Sequence, residues 1–177
     1  MSESITKDLL MLSLSKFYSN KANIQSIEPI ITGKSNLSLR LLDWFVTNYS
    51  KKNSTIIDNT TGHFNVYLSY RSQLKAYSKQ QFDPFRRRDR INFYYEKSKF
   101  IETTIGQLNF FRWVIQNNII EYIENNMETI EKDMVSVQKK LSENDNDKPQ
   151  QKKRNELSKS FIKNMNTFVG SRTISFA

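Results

Sequence analysis

Arg71, Lys75 and Lys79 stand four residues apart, and Arg86, Arg87, Arg88 and Arg90 cluster just after Pro84. Residues four apart are neighbours on a helix surface, so the first three would form one cationic stripe leading into the arginines. These are the residue types that hold a phosphate backbone. The arginines are the sharper half of the signal, because a guanidinium is planar, always charged and able to pair with phosphate through two parallel hydrogen bonds. Interleaved with them are Tyr77, Phe82, Phe85, Tyr94 and Tyr95, whose rings could stack on bases. In a chain short of other apolar residues they are read as packing residues first and as stacking residues second. The cations have a rival reading too: a solvated face and basic loop paired to an acidic helix of the same chain.

Other chemistries find fewer residues. The chain has no cysteine, which excludes disulfides and thiolate metal sites and points to a reducing compartment. His63 is the only histidine, so no imidazole cluster or relay can form, and its place beside Gly62 suits a turn. Glu121, Glu124, Glu128, Glu131 and Asp133 follow one another along one expected helix. A metal-dependent nuclease needs carboxylates converging from different elements, and this spacing does not supply them. Gly33-Lys34-Ser35 has the end of a phosphate loop without its earlier glycine or preceding strand. Lys148, Lys152, Lys153, Arg154, Lys159 and Lys163 surround Leu157, Phe161, Ile162 and Met165. That run suits a short surface helix, with a localisation signal, a nucleic-acid tail or a membrane-surface helix as alternatives. No catalytic residue, metal ligand or cofactor is expected, and the chain is read as non-enzymatic.

The elements that must position the cations follow from pattern. At 177 residues the chain has room for one domain with a real core. Its 12% aromatic content argues against wholesale disorder, and its formal charge of +9 favours an anionic partner. No segment is apolar enough for a signal peptide or a membrane span. From Thr104 to Leu141 apolar residues recur every three or four positions, predicting one amphipathic helix of roughly 55 Å. Thr104 and Gln107 have capping-box spacing, and the Asn117-Asn118 and Asn125-Asn126 pairs mark places where the helix could divide. A second helix is predicted over Leu37–Tyr49 with Asn36 as its cap, and a third over Ile5–Tyr18. Phe64, Val66, Leu68 and Tyr70 alternate with polar residues, while Tyr67, Tyr70, Leu74 and Tyr77 share a face at helical spacing. Of the two, the favoured reading is a strand that passes into a helix near Ser72. Asn59-Thr60-Thr61-Gly62 would turn a hairpin between Thr55-Ile56-Ile57 and that strand. Asp83-Pro84 ends the helix, and Ile91–Phe100 is the next strand candidate.

The expectation is an α+β fold: one long helix, one or two further helices and a small antiparallel sheet. Residues 1–141 would form a single domain, 142–154 a polar linker, and 155–177 a basic segment docking a short helix and a strand at Thr173–Phe176.

Five stretches, Leu42–Lys52, Gln73–Lys79, Phe82–Phe85, Thr103–Trp113 and Arg154–Ser160, resemble a small family of uncharacterised proteins. These are encoded by nucleocytoplasmic large DNA viruses of the mimivirus and phycodnavirus kind. The resemblance implies a viral origin and transfers no catalytic residue, and it implies Cys in relatives where Arg86 stands here. With it, the charge reading becomes a protein that binds DNA or RNA in viral DNA transactions, transcription or virion assembly. Its expected place is the host cytoplasm, a viral factory or the virion. The alternative is an assembly protein that docks a viral partner or a second copy of itself through the long helix.

Overall fold

In the computed structural model, which describes residues 2–59, 62–77 and 80–146, the chain is α+β. Leu10, Leu14 and Tyr18 recur every four residues and are buried along α1 (Ser2–Tyr18). Tyr18 donates its hydroxyl to the Leu108 carbonyl at 2.8 Å, which ties this helix to a distant one. Asn20 caps α2 (Lys21–Ile31), a helix absent from the expectation, whose buried face is Ile24, Ile27 and Ile30. Pro29 lies inside it and disguises it. Gly33, at φ 71, closes its end: the amides of Gly33 and Lys34 bond the carbonyls of Ile30 and Pro29. Gly33-Lys34-Ser35 is therefore a helix terminus.

The helix predicted from Leu37 starts later. Ser38, not Asn36, is the cap, its hydroxyl accepting from the Leu41 amide at 3.1 Å. α3 (Leu39–Trp44) then passes through a π-helical turn, Phe45–Tyr49, into α4 (Ser50–Asn53). The expected first hairpin is present, with β1 (Ile56–Asn59) antiparallel to β2 (Gly62–Asn65). His63 sits in β2, facing Asp58 with Nδ1 to carboxylate oxygen at 2.6 Å, and is not part of the turn. The strand does not continue to Ser72. Asn65 accepts from the Leu68 amide at 2.9 Å and starts α5 (Val66–Ala76) six positions earlier than expected. Leu68 is 63% exposed while Val66 is buried, so the apparent alternation was a helical face read at the wrong period.

The single strand expected over Ile91–Phe100 is instead a second hairpin, β3 (Ile91–Tyr94) with β4 (Phe100–Thr103). The sheet is thus two separate two-stranded ribbons. The long helix divides at the first Asn pair into α6 (Ile105–Gln116) and α7 (Ile119–Asn146). Asn118 takes a left-handed φ of 54°, a conformation asparagine tolerates better than most residues. α7 has 28 residues, about 42 Å. One cluster of buried residues draws on nearly every element, with Leu108, Phe110, Phe111 and Val114 of α6 fully buried within it.

Residues 1–138 form one compact unit, and a second begins at Lys139. α7 runs to Asn146, so residues 142–146 of the expected linker are helical. The rest of the linker, the basic C-terminal segment and the terminal strand lie outside the described residues. Among the described residues no helix is long and apolar enough to cross a membrane.

The capping pair behaves differently from a capping box. Thr104 Oγ1 accepts from the Gln107 amide at 3.1 Å, as expected. The Gln107 side chain, however, accepts from Thr103 Oγ1 at 2.7 Å and donates to the Pro84 carbonyl at 3.2 Å. Thr104→Ala should therefore cost about 1 kcal/mol of stability, read from the urea midpoint, through loss of the cap alone. An unchanged midpoint would show that the cap carries no weight.

Candidate nucleic-acid interface

The segment from Gln80 to Arg90 is laid against the start of α6 by contacts with named causes. Phe82 is 1% exposed and drops into an aromatic cluster, with Phe110 and Trp113 edge-on at 5.6 and 5.9 Å and Tyr77 stacked at 6.1 Å. Asn109, itself buried, donates to the Gln81 carbonyl at 2.9 Å. Arg112 donates to Asn109 Oδ1, the Tyr77 hydroxyl and Ser13, joining α1, α6 and the end of α5. Gly106 has no side chain where the backbone of Gln80 and Asp83 passes; a Cβ there would lie 2.7 Å from the Gln80 oxygen. Asp83 Oδ1 accepts from the Phe85 amide at 2.9 Å and the Asp83 carbonyl from the Arg86 amide, so the chain turns sharply around Pro84. Asp89, at φ 57, turns it again into β3.

Between those two turns the arginines meet a cleft of about 430 Å³. Arg86, Arg87 and Arg90 line it together with Phe85, Thr32, Glu102, Thr103, Thr104 and Gln107. Their charges are not equally available. Arg86 pairs with Asp89, whose carboxyl is held below its ordinary value first by that hydrogen bond and then by the guanidinium charge. Arg90 pairs with Glu102 at 2.9 Å, both side chains more than half exposed. Arg87 has no ion pair among the described residues. An exposed pair is worth at most about 1 kcal/mol, so a phosphate can compete for Arg90; the Arg86 side chain is only 20% exposed and is held more closely.

The other expected cations are placed elsewhere. Arg88 is exposed and does not line the cleft, though its charge also acts on Asp89. Arg71 and Lys75 are exposed on α5 at the spacing of a stripe, outside the cleft. α5 ends at Ala76, short of Lys79, which lies outside the described residues. Nor, among the described residues, does the acidic helix pair with the arginines. Asp133 of α7 accepts from Lys52 at 2.5 Å and from the Trp44 indole at 3.3 Å, and Glu128 pairs with Lys132 along its own helix.

The rings separate into two groups. Phe82 is core, and Tyr77 and Tyr95 are half-buried against it. Phe85 and Tyr94 are 45% and 62% exposed. Phe100, missed as a candidate, is 48% exposed and packs on Tyr94 across the hairpin at 5.3 Å between centroids. Its signal was the register, invisible while this region was read as one strand.

Sequence reasoning also missed the approach of Asp43 to Asp83. Burial first, then the Asp83 charge, raises the Asp43 carboxyl, and burial with both carboxylates pushes the Tyr70 hydroxyl up to about 12. Among the described residues no group of three or more acidic or histidine side chains is placed to hold a metal ion.

Comparison with known proteins adds the following. Residues 3–175 match a family described as "Family of unknown function (DUF7197)". The chain is 44% identical over 138 residues to an uncharacterized protein of Acanthamoeba polyphaga mimivirus, a match covering 72% of this chain and 53% of the relative. It thus spans about half the length of the curated relative it matches. No solved structure matches.

Proposed function

Because the chain belongs to this family of unknown function, no activity is inherited, and we propose from the cleft alone that the protein binds nucleic acid through its phosphate backbone. The observation carrying this reading is the convergence of Arg86, Arg87 and Arg90 on one cleft in which Arg87 has no carboxylate partner among the described residues. Thr103, Thr104 and Gln107 also line it, their polar groups engaged with one another and with the Pro84 carbonyl. Arg88, Arg71 and Lys75 extend the positive surface outside it. The net charge of +9 adds long-range attraction for a polyanion. The role is a binding one, without a catalytic step, in viral DNA transactions, transcription or virion assembly, within the host cytoplasm, a viral factory or the virion.

Titration of labelled oligonucleotides at salt concentrations from about 50 to 200 mM tests it. Affinity should fall linearly on a log-log plot, and replacing Arg86, Arg87, Arg88 and Arg90 together by Ala should weaken binding by about tenfold or more while flattening the slope. Binding that is absent in dilute buffer, or indifferent to salt, sinks the proposal.

A second reading is a protein partner or a second copy of the chain. Val135 on α7 is 58% exposed, and Leu9 and Leu12 project one turn apart from α1 at 62% and 69%. The long-helix face itself offers less, since Ile123 and Ile130 are fully buried in the chain's own core. A strictly monomeric sedimentation profile removes the self-association form.

A further inference from the structure

Side chains alternate across a strand, and the β3–β4 ribbon uses that alternation to sort its residues. Phe93, Ile101 and Thr103 point inward and are buried, while Asn92, Tyr94, Phe100 and Glu102 face outward and are exposed. Tyr94 and Phe100 stand directly opposite in the register, their planes inclined at 47°. The outer face thus presents a ring pair to solvent, where a hairpin needing only cross-strand support could use β-branched residues.

The rings are also continuous with the cleft. Glu102, which lines the cleft and holds Arg90, sits two residues from Phe100 on the same face, about 7 Å along the strand. Beyond the rings, in the hairpin turn, Lys97 is exposed and has no ion pair among the described residues. A track therefore runs from the arginines of the cleft, past the carboxylate of Glu102 that Arg90 neutralises, across the rings to Lys97. It suits a chain that alternates phosphates and flat bases.

We infer that the outer face of the β3–β4 ribbon, Tyr94 and Phe100, is a base-stacking platform, so that the nucleic acid held by the cleft is single-stranded. This rests on the phosphate-binding reading of the cleft and adds a substrate class to it. Paired bases in a duplex are already stacked on their neighbours and cannot lie on the rings, whereas unpaired bases can, with little regard to sequence.

Fluorescence anisotropy with three probes of equal length tests the inference: a thymidine single strand, the same strand made abasic, and a duplex. Tyr94→Ala with Phe100→Ala should weaken binding of the base-bearing strand by about tenfold or more and leave the abasic strand within about twofold. The ring-conserving pair Tyr94→Phe with Phe100→Tyr should bind like the wild type, while Tyr94→Leu with Phe100→Leu, which keeps an apolar cross-strand contact, should share the loss. Equal losses on the base-bearing and abasic strands, or no loss on either, overturn the platform. So does a wild type that prefers duplex. The cleft reading is judged separately, by Arg87→Ala on the abasic strand: weaker binding supports it and unchanged binding overturns it. If the wild type binds none of the probes, both readings fall and a protein partner takes their place.

Discussion

Phe82→Ala should destabilise the protein by about 3–5 kcal/mol, the range for deleting a buried aromatic ring from a core that cannot close over the space. Phe82 is 1% exposed and touches rings from two helices and the segment between them: Tyr70 of α5 at 6.0 Å, Phe110 and Trp113 of α6, and Tyr77 just beyond the end of α5. Those neighbours are stiff and mutually packed, so they have little freedom to fill a cavity. The ring is also the anchor of the segment that carries the arginines. A second effect should therefore appear at protein concentrations and temperatures where the variant is still folded: weaker, less salt-dependent binding of nucleic acid. Urea unfolding at constant m-value gives the first number. A loss below about 1 kcal/mol would mean that the cluster relaxes around the gap and that Phe82 is not its centre.

Gly106→Ala should destabilise by about 1–3 kcal/mol, against the usual sign of the substitution. In an ordinary helix interior Ala is better than Gly by about 1 kcal/mol, because it restricts the unfolded chain. At the start of α6, however, the new Cβ would sit 2.7 Å from the Gln80 carbonyl oxygen and 3.2 Å from the Asp83 amide nitrogen. Both are backbone atoms, so no side chain can swing aside; the segment over the helix has to lift. Its lifting would strain the Asn109 bond to Gln81 and the Gln107 bond to Pro84 together. Protection of the Gln80–Arg90 amides against hydrogen exchange should fall more than protection elsewhere. A variant as stable as the wild type, or more so, would show that this close approach does not exist.

How much of this was legible depended on whether a signal was local. The caps at Thr104 and the division at Asn117-Asn118 were readable because each is one residue's backbone chemistry. The first hairpin was readable from its turn residues. α2 was not, since Pro29 argues against a helix and the closing turn at Gly33 reveals itself only in three dimensions. The start of α5 was misplaced because Phe64, Val66, Leu68 and Tyr70 satisfy period two and Val66, Tyr70 and Leu74 satisfy period four, and only the Asn65 cap decides. At the site, the four arginines adjoin in sequence, and the structure lines one cleft with Arg86, Arg87 and Arg90 but not with Arg88. Sequence clustering could not show which charges would be matched, because Glu102 comes from the opposite strand of a hairpin. The same cross-strand register hid Phe100. The resemblance to viral proteins needed no geometry at all, and the mimivirus relative bears it out.

The pairing of Arg86 with Asp89 and of Arg90 with Glu102 bears on how a salt titration counts contacts. A binding site ordinarily reveals its phosphate contacts through the mobile ions set free when the backbone is neutralised. Here two guanidinium groups already carry covalently tethered anions, and a phosphate that replaces Asp89 or Glu102 leaves a carboxylate behind to gather a cation of its own. The exchange is nearly silent in ionic strength. The slope would then register Arg87 and the outlying cations while undercounting Arg86 and Arg90, so it stays measurable yet falls short of the number of phosphates the cleft engages.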